Sequence, residues 1–174
     1  ATSAPSAVVT GQWIEPTNPA EPSRRVGRVA RAGRAQAELA LAAAERAFGQ
    51  WSQTPPAERA RLLARVAAIM RRRKHELSAQ MVVEIGKSWV EADADTAEAI
   101  DFCEYYAAEM LKLDRPQHRD VPGEGNVYFY EPRGVAVVIA PWNFPLAIFT
   151  GMTTAALVTG NTVVMKPAEQ SAVI

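Results

Sequence analysis

The stretch "GVAVVIAPWNFPLAIFTGMTTAALVTGNTVVM", residues 134–165, decides the fold. Its first seven residues are continuously apolar, as a strand covered on both faces should be. "PLAIFTGMTTAALVTG", residues 145–160, has the length and composition of a helix, and Val163, Val164 and Met165 form a second strand. Strand, helix and strand make a βαβ unit, which requires a parallel pair and a right-handed crossover. A membrane span would need about 18 uninterrupted apolar residues. The three Gly and two Pro of this run, read as turn residues, favour strand–helix–strand instead.

In parallel sheets, ligands bind beyond the carboxyl ends of the strands. Two motifs fall there, "PWNFP" at 141–145 and "KPAEQ" at 166–170, and together they indicate one shared site. The prolines on either side of the first hold Asn143 in a rigid bend. On the residues alone, a Pro-fixed loop whose Asn caps the following helix is slightly favoured over a site for chemistry.

The rest of the chain divides by composition. Residues 1–33 are punctuated by Pro, Gly and Arg and read as extended pieces and turns. Residues 34–113 read as helical. "AQAELALAAAERAF" is rich in strong helix formers and is expected to stop at Gly49. Thr54 can cap the next helix with Pro55 at its first position, and that helix is expected to bury Leu62, Leu63, Val66, Ile69 and Met70. "RRRK", Arg71–Lys74, offsets the negative end of that helix rather than holding a phosphate. A third helix ends at Gly86, and Ser88 with Glu91 makes a capping box for the fourth. Residues 114–133 form a polar linker and an extended strand, "NVYFYEPRG", and residues 134–174 hold the βαβ unit.

Composition narrows the function classes. The 174 residues are 48% hydrophobic, ordinary for a soluble globular protein. Lys plus Arg and Asp plus Glu are both 19, so no net field favours nucleic acid or an anionic membrane. The start, "ATSAPSAVV", lacks a signal-peptide pattern. With a single cysteine, this fits a reducing, cytoplasmic compartment. Cys103 falls on a helical stripe with Ala99, Phe102, Tyr106 and Met110, which places it in the core rather than in catalysis. His75 and His118 lack ligand-spaced neighbours, so no metal site is expected. Glu91, Asp93 and Asp95 read as solvated helix surface near a positive helix end.

The quoted stretch, continued through "KPAEQ", resembles the first part of the cofactor domain of the aldehyde dehydrogenase superfamily. "NPA…VGRV", "AFGQW", "PPAERARLL" and "EIGKSWVEADADTAEAIDFCEYYA" agree with it in order, from about residue 8 onward. Within the superfamily, "FTG" after "PWNFPLAI" and "AIDFCEYYA" are most like the 1-pyrroline-5-carboxylate dehydrogenase branch. That branch oxidises glutamate semialdehyde to glutamate in proline breakdown and also occurs fused behind proline dehydrogenase. The fold implied is α/β: an N-terminal helical region followed by the first βαβ unit of a Rossmann-like cofactor domain, incomplete within these residues.

The resemblance also implies roles. Asn143 would be the amide that stabilises the oxyanion formed when a thiolate attacks the aldehyde, a task a non-titrating donor performs well. The backbone around Ile139, Ala140, Pro141 and Trp142 would line the channel for NAD or NADP. Lys166 and Glu169 would hold the adenosine ribose, and the Glu169 carboxylate leans toward NAD because it would repel a 2′-phosphate. Phe144 would lie against the aliphatic part of a small aldehyde substrate. "NVYFYEPRG" is similar to a strand that pairs between subunits, so a homo-oligomer, or self-association through exposed strands, is expected. The family's nucleophilic Cys and its carboxylate base lie far downstream of "KPAEQ". The chain is therefore expected to be an N-terminal portion of an enzyme, inactive alone and weak in cofactor binding. A non-catalytic helical assembly or interaction module derived from the same fold is the alternative.

Overall fold

The computed structural model describes residues 10–174. Two antiparallel ribbons come first. β1 (Trp13–Ile14) pairs with β4 (Val29–Ala30), and β2 (Thr17–Asn18) pairs with β3 (Glu21–Arg25). Four helices follow: α1 (Arg34–Ser52), α2 (Pro56–Arg72), α3 (Lys74–Ile85) and α4 (Trp89–Leu113). A short ribbon of β5 (Gln117–His118) and β6 (Val127–Tyr128) leads to β7 (Val135–Ile139), α5 (Ala147–Val158) and β8 (Thr162–Lys166).

The βαβ unit forms as its apolar runs dictate. β7 and β8 are parallel, in a register that sets Val135 opposite Thr162 and Ile139 opposite Lys166. α5 and α1 pack on this pair. Among the described residues the two strands have no further partners, and Val137, Ile139 and Met165 stay exposed.

α4 is the central helix, packed against α2, α3 and α5. One core cluster joins Ala60, Leu63 and Ala67 of α2 to Ile100, Cys103, Ala107 and Met110 of α4. The alanines leave room for the helices to approach closely. A second cluster gathers Met81, Ala92, Ala99 and Leu146. Long polar side chains then tie the layers together. Arg59, 4% exposed, donates to the Val158 carbonyl at 2.8 Å and also to the carbonyls of Ser52 and Thr54. Glu84 accepts the amides of Val173 and Ile174 at 2.8 and 2.9 Å, fixing the chain after β8.

Several local expectations hold. Gly86 ends α3 in the left-handed conformation, φ 72°, and donates its amide to the Val82 carbonyl. Ser88 and Glu91 form the expected reciprocal cap of α4. Others are corrected. α1 runs through Gly49 to Ser52, because one glycine inside an alanine-rich helix costs only about 1 kcal/mol. Pro55 is the N-cap of α2 and Pro56 its first residue, while the Thr54 hydroxyl turns back to the Gln50 carbonyl. Val66 and Ile69 are exposed, since the buried face of α2 is the Ala60–Leu63–Ala67 stripe. His118 lies in β5 rather than in a loop.

Candidate functional site

The site forms where β7 runs out. After Ile139 the chain bends through Pro141–Pro145 and enters α5 at Ala147. On the other side of the parallel pair, β8 ends at Lys166 and turns into the single 3-10 turn Glu169–Ser171. The two ends stay linked, because the Ala140 amide donates to the Lys166 carbonyl at 3.4 Å.

Two groups of expected site residues result. At the strand ends, Ile139 faces Lys166 across the register, and the Lys166 ammonium stands 3.3 Å from the Glu169 carboxylate. Both side chains are more than half exposed and can take other partners. The Glu169 backbone amide, and then Lys166, hold the carboxyl below the usual range, so it is ionised near neutrality. Trp142, Asn143 and Phe144 instead border a cavity of about 390 Å³ that Lys87, Asp95 and Glu98 also line. Trp142 thus opens into the cavity that Asn143 and Phe144 share. Pro141 connects the two groups.

The helix-capping reading of Asn143 does not survive. α5 has Leu146 as its N-cap and no side-chain cap from Asn143. The first helical amide, Ala147 N–H, is taken at 2.6 Å by Asp95 Oδ1 from 52 residues upstream. Asn143 is exposed and makes no hydrogen bond among the described residues, so its amide is open to the cavity.

Asp95 is the residue that sequence reasoning misplaced. It is 1% exposed, not solvated surface, and its second oxygen pairs with the ammonium of Lys87, a side chain only 11% exposed. The same ammonium lies 4.4 Å from the centre of the Phe144 ring. Asp93, two residues earlier, is half-buried and pairs with Lys74 at 2.7 Å. Glu98 was not singled out from sequence; it borders the cavity, is exposed, and has no ion-pair or hydrogen-bond partner among the described residues. One weak signal could have found both, the i, i+3 spacing of Asp95 and Glu98, which sets two acids on one helix face.

Other candidates carry no chemistry. Cys103 is fully buried, and burial, then Glu104, pushes its thiol up to about 11. A larger groove of about 690 Å³ between α1, α2 and β8 is lined by apolar side chains and a few threonines, with no titratable group. Among the described residues no three His, Cys, Asp or Glu side chains gather to hold a metal ion, and no helix is long and apolar enough to cross a membrane.

Comparison with known proteins identifies the family. The model of the aldehyde dehydrogenase family matches residues 8–174. The 1-pyrroline-5-carboxylate dehydrogenases of Geobacillus sp. (strain WCH70) and Anoxybacillus flavithermus (strain DSM 21510 / WK1) are 56% and 58% identical over 168 residues. In both cases the match covers 96% of this chain and 33% of the relative, so the chain spans about a third of these relatives' length. Among solved structures, 1-pyrroline-5-carboxylate dehydrogenase from Thermus with bound NAD superposes with a TM-score of 0.90 at 54% identity, covering 95% of this chain and 33% of that one. Proline utilization A from Bdellovibrio bacteriovorus, inactivated by N-propargylglycine, gives a TM-score of 0.92 at 50% identity, covering 95% of this chain and 17% of that one.

Proposed function

Because the chain belongs to the aldehyde dehydrogenase family, we propose that it supplies the amino-terminal third of a 1-pyrroline-5-carboxylate dehydrogenase, which oxidises glutamate semialdehyde to glutamate with NAD. The observation that carries this reading is the Asn143 amide. It stands at the carboxyl end of a parallel strand, bordering a cavity, without a hydrogen-bond partner among the described residues, while Asp95 does the capping that Asn143 could have done.

In this reading Asn143 donates to the oxygen of the aldehyde as negative charge develops there. One such donor supplies about 3–4 kcal/mol of transition-state stabilisation. Phe144 covers the aliphatic part of the substrate. Glutamate semialdehyde carries an ammonium group, and the unpaired Glu98 carboxylate is the acceptor available for it. Lys166 and Glu169 fit a ribose, offering a cation and an ionised acceptor 3.3 Å apart at the strand end, with the backbone of Ile139 and Ala140 alongside and Pro141 and Trp142 leading from there toward the cavity. NAD, when bound, supplies the hydride acceptor. The nucleophilic thiol and the base come from outside these 174 residues, since Cys103 is buried and its thiol is held neutral. The Glu169 carboxylate favours NAD over NADP through repulsion of a 2′-phosphate. The exposed β5–β6 ribbon, with Tyr128, Phe129 and Tyr130, is the surface for association between subunits.

The test is to purify the full-length enzyme that contains this chain and follow cofactor reduction with a panel of aldehydes. Glutamate semialdehyde is expected to give the highest kcat/KM. A preference for long aliphatic or aromatic aldehydes would overturn the substrate assignment.

A further inference from the structure

We infer that Lys87 and Asp95 form a positioning device for Asn143, holding the chain on its carboxyl side, at Phe144 and Ala147, from the α3–α4 corner. This rests on the reading of Asn143 as the oxyanion donor and adds the means by which that donor is kept in place.

The geometry is specific. An amide that stabilises a transition state must be held still, and its own loop gives Asn143 no hydrogen bond among the described residues. Two contacts from elsewhere hold the chain that follows it. On the carboxyl side, Asp95 Oδ1 accepts the Ala147 amide at 2.6 Å, fixing the start of α5. The amino end of a helix has unsatisfied N–H groups and a partial positive charge, and a carboxylate meets both. Immediately beside Asn143, the Lys87 ammonium lies 4.4 Å from the Phe144 ring centre, a cation–π contact whose cation, though not its ring, is largely removed from water. Asp95 Oδ2 pairs with that same ammonium, so the two contacts are one unit.

The corner that presents this unit is built for it. Gly86 turns the chain in the left-handed conformation, and Ser88 caps α4 two residues later, which aims the intervening Lys87 inward. Asp95 is reached from the second turn of the same helix. Thr96 and Ser78, hydroxyls 3.0 Å apart in the α3–α4 packing, anchor the helix at this level.

The proposal is tested by a double-substitution cycle in the full-length enzyme. Asp95→Asn keeps an oxygen acceptor for the Ala147 amide and removes the charge that holds Lys87. Lys87→Met removes the cation over Phe144. Each is expected to lower kcat about tenfold, as sub-ångström displacement of a catalytic group does, with KM for NAD within about twofold. In an Asn143→Ala background the same substitutions are expected to lower kcat by less than about twofold, because residues acting through one group are not additive. Asp93→Asn, at the half-buried Lys74–Asp93 pair that does not touch the turn, is the control and is expected to leave kcat unchanged. Hydrogen exchange of the peptide spanning residues 141–147 provides a readout independent of turnover, and is expected to quicken in Asp95→Ala and Lys87→Met. Full additivity with Asn143→Ala, or unchanged kcat and exchange, would overturn the positioning role while leaving Asn143 as donor. An Asn143→Ala enzyme with normal kcat would overturn the underlying reading, and this one with it.

Discussion

Gly151 of α5 lies directly against the ring of Phe102 of α4: a methyl group added to Gly151 would stand 2.9 Å from Phe102 Cδ2 and 3.0 Å from Cε2. These residues belong to the "FTG" and "AIDFCEYYA" stretches on which the resemblance to the branch rests. They meet in the packing of two helices and not in the cavity beside Asn143. Their pairing is a matter of helix packing, and in the proposed reading discrimination among aldehydes falls to the side chains that border the cavity.

Gly151→Ala is accordingly expected to destabilise the protein by about 1–3 kcal/mol through overpacking. The shift in the midpoint of chemical unfolding measures it. Adding Phe102→Leu should recover part of the loss, and an unshifted midpoint in the single variant would contradict the contact.

Cys103 offers a pH-dependent test. Its folded thiol is raised from 9.0 to about 11, so the folded state holds the proton more tightly than the unfolded chain does. That contribution to stability is fully present below pH about 9 and is lost as pH rises toward about 11. Native protein at pH 8 should resist thiol-directed alkylation, reacting only on unfolding, and Cys103→Ser should leave turnover of the full-length enzyme intact. Rapid alkylation of the native protein would place the thiol outside the core.

The strand-end pair makes a separable prediction. Glu169→Gln and Lys166→Ala are expected to raise KM for NAD several-fold, with kcat nearly unchanged, as loss of uniform binding does. Glu169→Gln should also narrow the preference for NAD over NADP. Equal loss in kcat would assign these residues to the chemical step instead.

Much of this was legible in the sequence because the signals were local. The apolar runs around residues 135–139 and 163–165 and the crossover between them follow from hydrophobic continuity and length. Gly86, Ser88 with Glu91, and the Cys103 stripe are set by neighbours within a turn or two. Asp95 was not legible, because an acid early in a helix looks the same whether water or a distant backbone amide receives it. Its partner, the Ala147 N–H, has no side-chain signature and lies 52 residues away. Val66 and Ile69 failed for a related reason. Periodicity names an apolar face, but the alanines of α2 allow the closer approach to α4 and take the core.

Glu98 tests the substrate assignment from the protein side. Removing its charge in Glu98→Gln should raise KM for glutamate semialdehyde about tenfold, the effect of losing one charge-assisted contact of roughly 1.5 kcal/mol. A simple aldehyde without an amino group should be nearly indifferent. Equal losses for both substrates would place Glu98 in a structural role.

The central claim is that Asn143 donates to the developing oxyanion, and steady-state kinetics of Asn143→Ala in the full-length enzyme measure it most directly. The account predicts kcat lower by about 10²- to 10³-fold with the affinity for NAD unchanged. A kcat within a few-fold of the unsubstituted enzyme would contradict it.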